Sequence, residues 1–149
     1  MNLEKFTERS RGFVQAAQTI AIREENQRVM PEHLLKALMD DEQGFASNLI
    51  ARAGGDAQAV RQAVDQAVAK LPKVNGGDGQ VYVDPSLVRV LDEAQKLAQK
   101  AGDSFVPAER LLTALAVVNT NARDSLQAGG VSAQSLNSAI NDIRKGRTA

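Results

Sequence analysis

The chain has 149 residues, 43% hydrophobic and 24% charged, with 18 Lys/Arg against 18 Asp/Glu. That length predicts one domain able to bury about 68–70% of its unfolded surface, and zero net charge excludes a general polyanion binder, which needs an excess of clustered Lys/Arg. The absence of Cys excludes disulfides, thiolate metal sites and Cys nucleophiles, and fits a reducing compartment.

In chain order, the opening MNLEKFTERSR is too charged for the apolar segment of a signal peptide. Thr7 then caps a first helix whose apolar face carries Phe13, Ala17, Ile20 and Ala21. A shorter helix follows Pro31 with Leu34, Leu35 and Leu38. Gly54-Gly55 breaks a helix ending near Ala53, and Val60, Ala63, Val64 and Ala67 make the next stripe. Residues 71–83, LPKVNGGDGQVYV, read as one long connection, with Pro72, Gly76, Gly77 and Gly79 and no periodicity; Val81-Tyr82-Val83 is too short to make a sheet. Asp84 caps a helix with Leu87, Leu91, Ala94 and Ala98, and Gly102 suits its end. Leu111, Leu112 and Leu115 follow Pro107, Gly129-Gly130 breaks a helix ending near Ala128, and Ser132 caps the last one. The longest greasy stretch, Leu111 to Val118, is far short of the roughly 20 residues that span a bilayer. The 23 alanines against five aromatics favour helices over strands. A soluble, cytoplasmic, all-α domain is expected, with no membrane contact.

The two sides of the connection match. At an offset of 77, Ala17-Gln18 corresponds to Ala94-Gln95, Ile20-Ala21 to Leu97-Ala98, and Val29 to Val106. Glu32 then corresponds to Glu109, Leu34-Leu35 to Leu111-Leu112, Ala37-Leu38 to Ala114-Leu115, and the caps Thr7 and Asp84 keep the same spacing. Further on, Ala53-Gly54-Gly55 aligns with Ala128-Gly129-Gly130 at 75, and Ala57-Gln58-Ala59-Val60 with Ala133-Gln134-Ser135-Leu136 at 76. The expected architecture is two four-helix repeats (about 3–70 and 84–146), joined by the linker at about 71–83, packed about a pseudo-two-fold axis as one domain of about eight helices. Two copies make a duplication rather than a solenoid.

Chemistry is sparse. There is no G-x-x-x-x-G-K-[ST] string, and the glycines at 76–79 lack the strand and helix of a nucleotide cradle. His33 is the only histidine, which excludes a two-His or Cys/His metal site within one chain; it reads as a helix-surface or helix-packing residue. Asp40-Asp41-Glu42 lacks the alternating ligands of an EF-hand and reads as a solvated helix end. Arg144, Lys145 and Arg147 form a short basic tail suited to a helix C-terminus. No catalytic residue, no metal and no nucleic-acid affinity is expected.

The strings FTERSRGFVQAAQTIA and PEHLLKAL, and in the second copy LVRVLDEAQKLAQKAGDSFVPAERLLTAL, resemble the Clp amino-terminal repeat domain of the Clp/Hsp100 unfoldases over essentially the whole chain. The linker start LPKV and the string LVRVLDEAQKLAQKAGDSF are most similar to the ClpB-type disaggregase branch. PAERLLTAL in the second copy, with Ala108 and Arg110 in place of Thr and His, departs from the G-T-E-H-I-L-L-G-L type string of the protease-linked branches. The resemblance implies a fragment of a longer AAA+ chaperone of the stress response. Its ATPase modules, outside this chain, would bind ATP and magnesium and assemble the homohexamer, leaving this fragment a non-enzymatic monomer without cofactors. It implies recruitment of unfolded or aggregated polypeptides through a surface groove, with a DnaK-type chaperone system as partner of the parent; the alternative is an adaptor-docking domain of a protease-linked Clp ATPase. By resemblance the groove edge is Thr7, Asp103 and Glu109; Leu91 and Leu97 are candidates for its floor, with a place in the helix core as the alternative for at least one of them. The two carboxylates would favour basic or amide-rich segments, and Arg110 stands where an apolar residue is expected and would narrow the apolar surface.

Overall fold

The computed structural model describes residues 2–74 and 80–145. Gly76, Gly77 and Gly79 of the expected linker and Arg147 of the basic tail lie outside the described residues. The helices are α1 (Glu8–Arg23), α2 (Pro31–Met39), α3 (Phe45–Arg52), α4 (Ala57–Ala69), α5 (Pro85–Lys100), α6 (Ala108–Val117), α7 (Asn121–Ala128) and α8 (Ala133–Arg144). All three expected caps act as such. Thr7 accepts from the Ser10 amide, Asp84 from that of Ser86, and Ser132 from that of Ser135, so each satisfies a donor that a helix start leaves orphaned. Pro31 sits in the first turn of α2, whereas Pro107 is itself the cap residue of α6.

The packing follows the duplication. α1 lies on α2 as α5 lies on α6, and α4 lies on α7 as α8 lies on α3. The two leucine-rich helices α2 and α6 meet at the centre, where Leu34, Leu35, Leu38, Leu111, Leu112 and Leu115 are all fully buried. α2 buries every residue except Lys36, including the polar Glu32 and His33, because it lies at the centre with other helices packed around it.

Two short parallel pairings were not expected. β1 (Arg28–Val29) pairs with β2 (Tyr82–Val83) in the register Val29↔Val83, and an isolated bridge joins Phe6 to Val106. The expectation that residues 81–83 make no sheet is corrected to this extent. An offset of 77 converts one pairing into the other, so each copy contributes the extended residue that the other needs. Such rungs are too short to leave a period-2 pattern in the sequence.

The second half of the alignment also shifts. α3 and α7, the caps Asp56 and Ser132, and the left-handed Gly54 (φ 86°) and Gly130 (φ 75°) all stand 76 apart, which replaces the offset of 75 suggested by the Gly-Gly pairs. Gly55 is then the counterpart of Val131. It is glycine because a Cβ there would lie 2.5 Å from a Val131 methyl carbon. The two turns are joined by the Asp56 amide donating to the Gly129 carbonyl at 2.8 Å.

Candidate functional site

Thr7, Asp103 and Glu109 converge on the loop between α5 and α6. The Thr7 amide donates to the Val106 carbonyl at 3.1 Å. The Thr7 hydroxyl donates to Ser10 Oγ, which donates in turn to the same carbonyl at 2.8 Å. Thr7 thus does two structural tasks, starting α1 and fastening it to the second copy.

Asp103 is less accessible than a groove edge requires: its side chain has 0% exposure. It is held by both guanidinium arms of Arg144, Nη1 lying 2.9 Å from Oδ2, and Arg110 Nε lies 3.7 Å away. Arg144 Nε also lies 3.9 Å from Glu109 Oε2. Two carboxylates therefore meet two guanidiniums, and the hydrogen bonds that Arg144 donates to Asp103 raise the Arg144 pKa above its ordinary value. The basic tail is at Arg144 an internal ion-pair partner.

The reading of Arg110 as a surface residue that narrows an apolar patch is corrected. Its residue exposure is 3%, and Nη1 donates to Asn137 Oδ1 at 3.2 Å. A buried guanidinium demands a carboxylate, and Asp103 supplies it.

Of the expected floor residues, Leu91 is buried at 4%, closed within the core. Leu97 is half-buried and faces a shallow depression lined by Glu93, Lys96, Gln99 and Lys100. None of Thr7, Asp103 and Glu109 lines it.

Glu109 instead stands at the mouth of a cleft of about 490 Å³ between α3 and α8, walled by Phe45, Leu49, Ile140 and Ile143. Ile143 is 43% exposed. Arg9 covers one side, its guanidinium 4.8 Å from the Phe45 ring centroid, and pairs with Asp41 at 3.3 Å. Phe45 stacks on Phe13 at 6.2 Å. These wall residues were not identified from the sequence. The available signal was Leu136, Ile140 and Ile143 at helical spacing, a stripe that runs on to Ile143 beyond the buried Leu136, Ala139 and Ile140 of α8. The cleft offers apolar contact for side chains and one half-buried carboxylate acceptor. Among the described residues there is no group of three or more His, Cys, Asp or Glu placed to hold a metal ion, and no helix is long and apolar enough to cross a membrane.

A model of the Clp repeat (R) N-terminal domain matches residues 5–129. Chaperone protein ClpB of Agrobacterium fabrum is 56% identical over 150 residues, covering 100% of this chain and 17% of that protein. Chaperone protein ClpB of Rhodopseudomonas palustris is 54% identical over 151 residues with the same coverage. The chain therefore spans about one sixth of the length of these relatives. The fold superposes on the Hsp104 N-terminal domain from Candida albicans with a TM-score of 0.84 at 22% identity, covering 97% of this chain and 94% of that one. The N-terminal domain of the ClpV1 ATPase from E. coli gives 0.78 at 20% identity, covering 96% and 88%.

Proposed function

Since the chain belongs to the Clp repeat (R) N-terminal domain family, we propose that it is the client-recruiting domain of a ClpB-like, ATP-dependent disaggregase, engaging unfolded or aggregated polypeptide. The observation that carries this reading is the cleft between α3 and α8, apolar on its walls and bearing Glu109 at its mouth. Apolar walls accept many sequences, and a carboxylate oxygen accepts a client backbone N–H whatever its side chain. Thr7 and Asp103 do not line the cleft; in this reading Asp103 serves it at one remove, by holding Arg144 3.9 Å from Glu109, and Thr7 by fastening α1 to the loop before α6. Leu97 adds a secondary apolar patch on α5, with Leu91 packed in the core beneath the helix. ATP, magnesium, the homohexamer and the DnaK-type partner belong to the longer protein, and its compartment is the cytoplasm. The fragment itself is a monomer that turns over nothing.

A shallow site binds weakly, with dissociation constants of about 10 µM to 1 mM, or roughly −4 to −7 kcal/mol; six linked copies would raise this by multivalency. Titration of an unfolded client against Glu109→Ala is expected to show several-fold weaker binding with an almost unchanged melt, because a first-turn carboxylate is worth about 0.3–1 kcal/mol to its helix. Leu112→Ala, fully buried, should lose about 2–5 kcal/mol of stability. If Glu109→Ala binds like the unaltered domain, the site assignment fails there. Capture of one stoichiometric folded protein in place of unfolded chains would favour adaptor docking.

A further inference from the structure

The duplication supplies an internal control for the cleft, because its pseudo-symmetric twin exists between α7 and α4. At the offset of 76, Phe45 becomes Asn121, Leu49 becomes Ser125, Ile140 becomes Val64 and Ile143 becomes Ala67. The twin is a smaller hollow of about 310 Å³ lined by Ala67, Asn121, Asp124 and Ser125 among others. Glu32, the counterpart of Glu109, is 1% exposed, and Asn121 Nδ2 reaches its carboxylate at 3.4 Å. One backbone arrangement thus carries large apolar side chains and a half-buried carboxylate in one copy, and smaller or polar side chains over a buried carboxylate in the other. Leu49 and Ile140 are buried at 4% and 1% and belong to the core, so the apolar surface the cleft presents is that of Ile143 and the half-buried Phe45. The twin folds with Ala67 and Asn121 at those places, so folding does not require that surface and a bound partner accounts for it.

The charges around that cleft identify the occupant further. Among the described residues, Asp103 and Glu109 are offset by Arg144 and Arg110, and Arg9 by Asp41. Arg52, in the last turn of α3 and exposed, lines the cleft and has no ion pair among the described residues. Its counterpart in the twin is Ala128. Among the described residues that line the cleft the uncompensated charge is positive, opposite to the preference for basic segments expected from the carboxylates alone. We propose that the α3–α8 cleft selects extended polypeptide segments in which apolar side chains are flanked by carboxylates, with Arg52 setting the sign of the preference. This rests on the client-recruiting reading and adds the class of segment taken.

The test uses two dye-labelled, unstructured peptides with the same Ile-Leu-Phe-Val centre, one flanked by Glu and the other by Lys, titrated by fluorescence anisotropy. The Glu-flanked peptide is expected to bind about 2–5-fold tighter, the range of an exposed ion pair. Arg52→Gln should equalise the two, Arg52→Glu should reverse their order, and Glu109→Ala, which removes a backbone acceptor and also a negative charge, should weaken the Lys-flanked peptide more than the Glu-flanked one. About 0.5 M salt should erase the difference, since exposed charges are screened within a few ångströms there. Ile143→Ser should weaken both peptides, while Asp124→Lys in the twin hollow should change neither. Binding of both peptides with a ratio insensitive to Arg52→Glu overturns the charge preference alone and leaves client recruitment standing. Binding of neither overturns both. Loss of affinity through Asp124→Lys moves the occupant to the wrong cleft, and a dimer dissolved by Ile143→Ser replaces it with a second copy; either result sinks the proposal.

Discussion

His33 and Arg110 stand 77 residues apart, at the same step of α2 and α6, and both are buried, at 0% and 3% exposure. One place is thus met by two chemistries. His33 Nδ1 accepts the Met30 amide at 2.8 Å, and its Nε2 meets Asn26 Oδ1 at 2.8 Å, with Asn26 Nδ2 reaching the Pro72 carbonyl. That pattern requires the neutral ring protonated on Nε2, and burial lowers the pKa from 6.5 to about 4. The unfolded chain therefore takes up a proton at a pH where the folded one refuses it. Stability from this group is complete above pH 6.5 and is lost as pH falls toward about 4. Relative to His33→Leu, the stability advantage of the unaltered domain should shrink by about 2 kcal/mol between pH 7.5 and pH 5 in urea titrations; a constant gap would refute it. The helix caps were readable because capping is settled by one residue and its neighbours. The burial of Asp103 was not, since it depends on Arg144, 41 positions away, and adjacency in the sequence carries no sign of it.

At the scale of elements, the helices were legible because each carries its own 3.6-residue stripe, and most of the predicted stripe residues are buried. The β rungs and the offset of 76 between the turns were not, because both are fixed by contact between copies. The glycines make this testable. Gly12 lies inside α1, where an added Cβ meets nothing within 4 Å. Gly12→Ala should stabilise the domain by about 0.5–1 kcal/mol through helix propensity. Gly129 is the opposite case: a Cβ there would lie 2.4 Å from a Val60 methyl carbon and 2.7 Å from the Asp56 carbonyl oxygen. Gly129→Ala should cost about 1–3 kcal/mol, the range of overpacking. Thermal melts of the two variants should therefore move in opposite directions, and equal shifts would mean the turns are looser than their geometry implies.

Over the whole molecule, one core cluster runs through all eight helices, from Phe13 in α1 to Ile140 in α8, so the domain should unfold in a single transition. Separately produced halves, residues 2–74 and 80–145, should each show little helix alone and recover it on mixing, measured by circular dichroism. A half that folds by itself would contradict the shared core. The parallel pairings carry this further. Val29↔Val83 and Phe6↔Val106 are one contact made twice with the partners exchanged, the arrangement that defines an isologous interface. A single ancestral copy would have possessed both surfaces of every cross-copy contact, and could have completed its fold by pairing with another identical chain. Joining two such genes end to end turns an encounter limited by concentration into an internal one at an effective millimolar level. It also releases the halves from having to be identical, so that α3 can carry Phe45 and Leu49 where α7 carries Asn121 and Ser125.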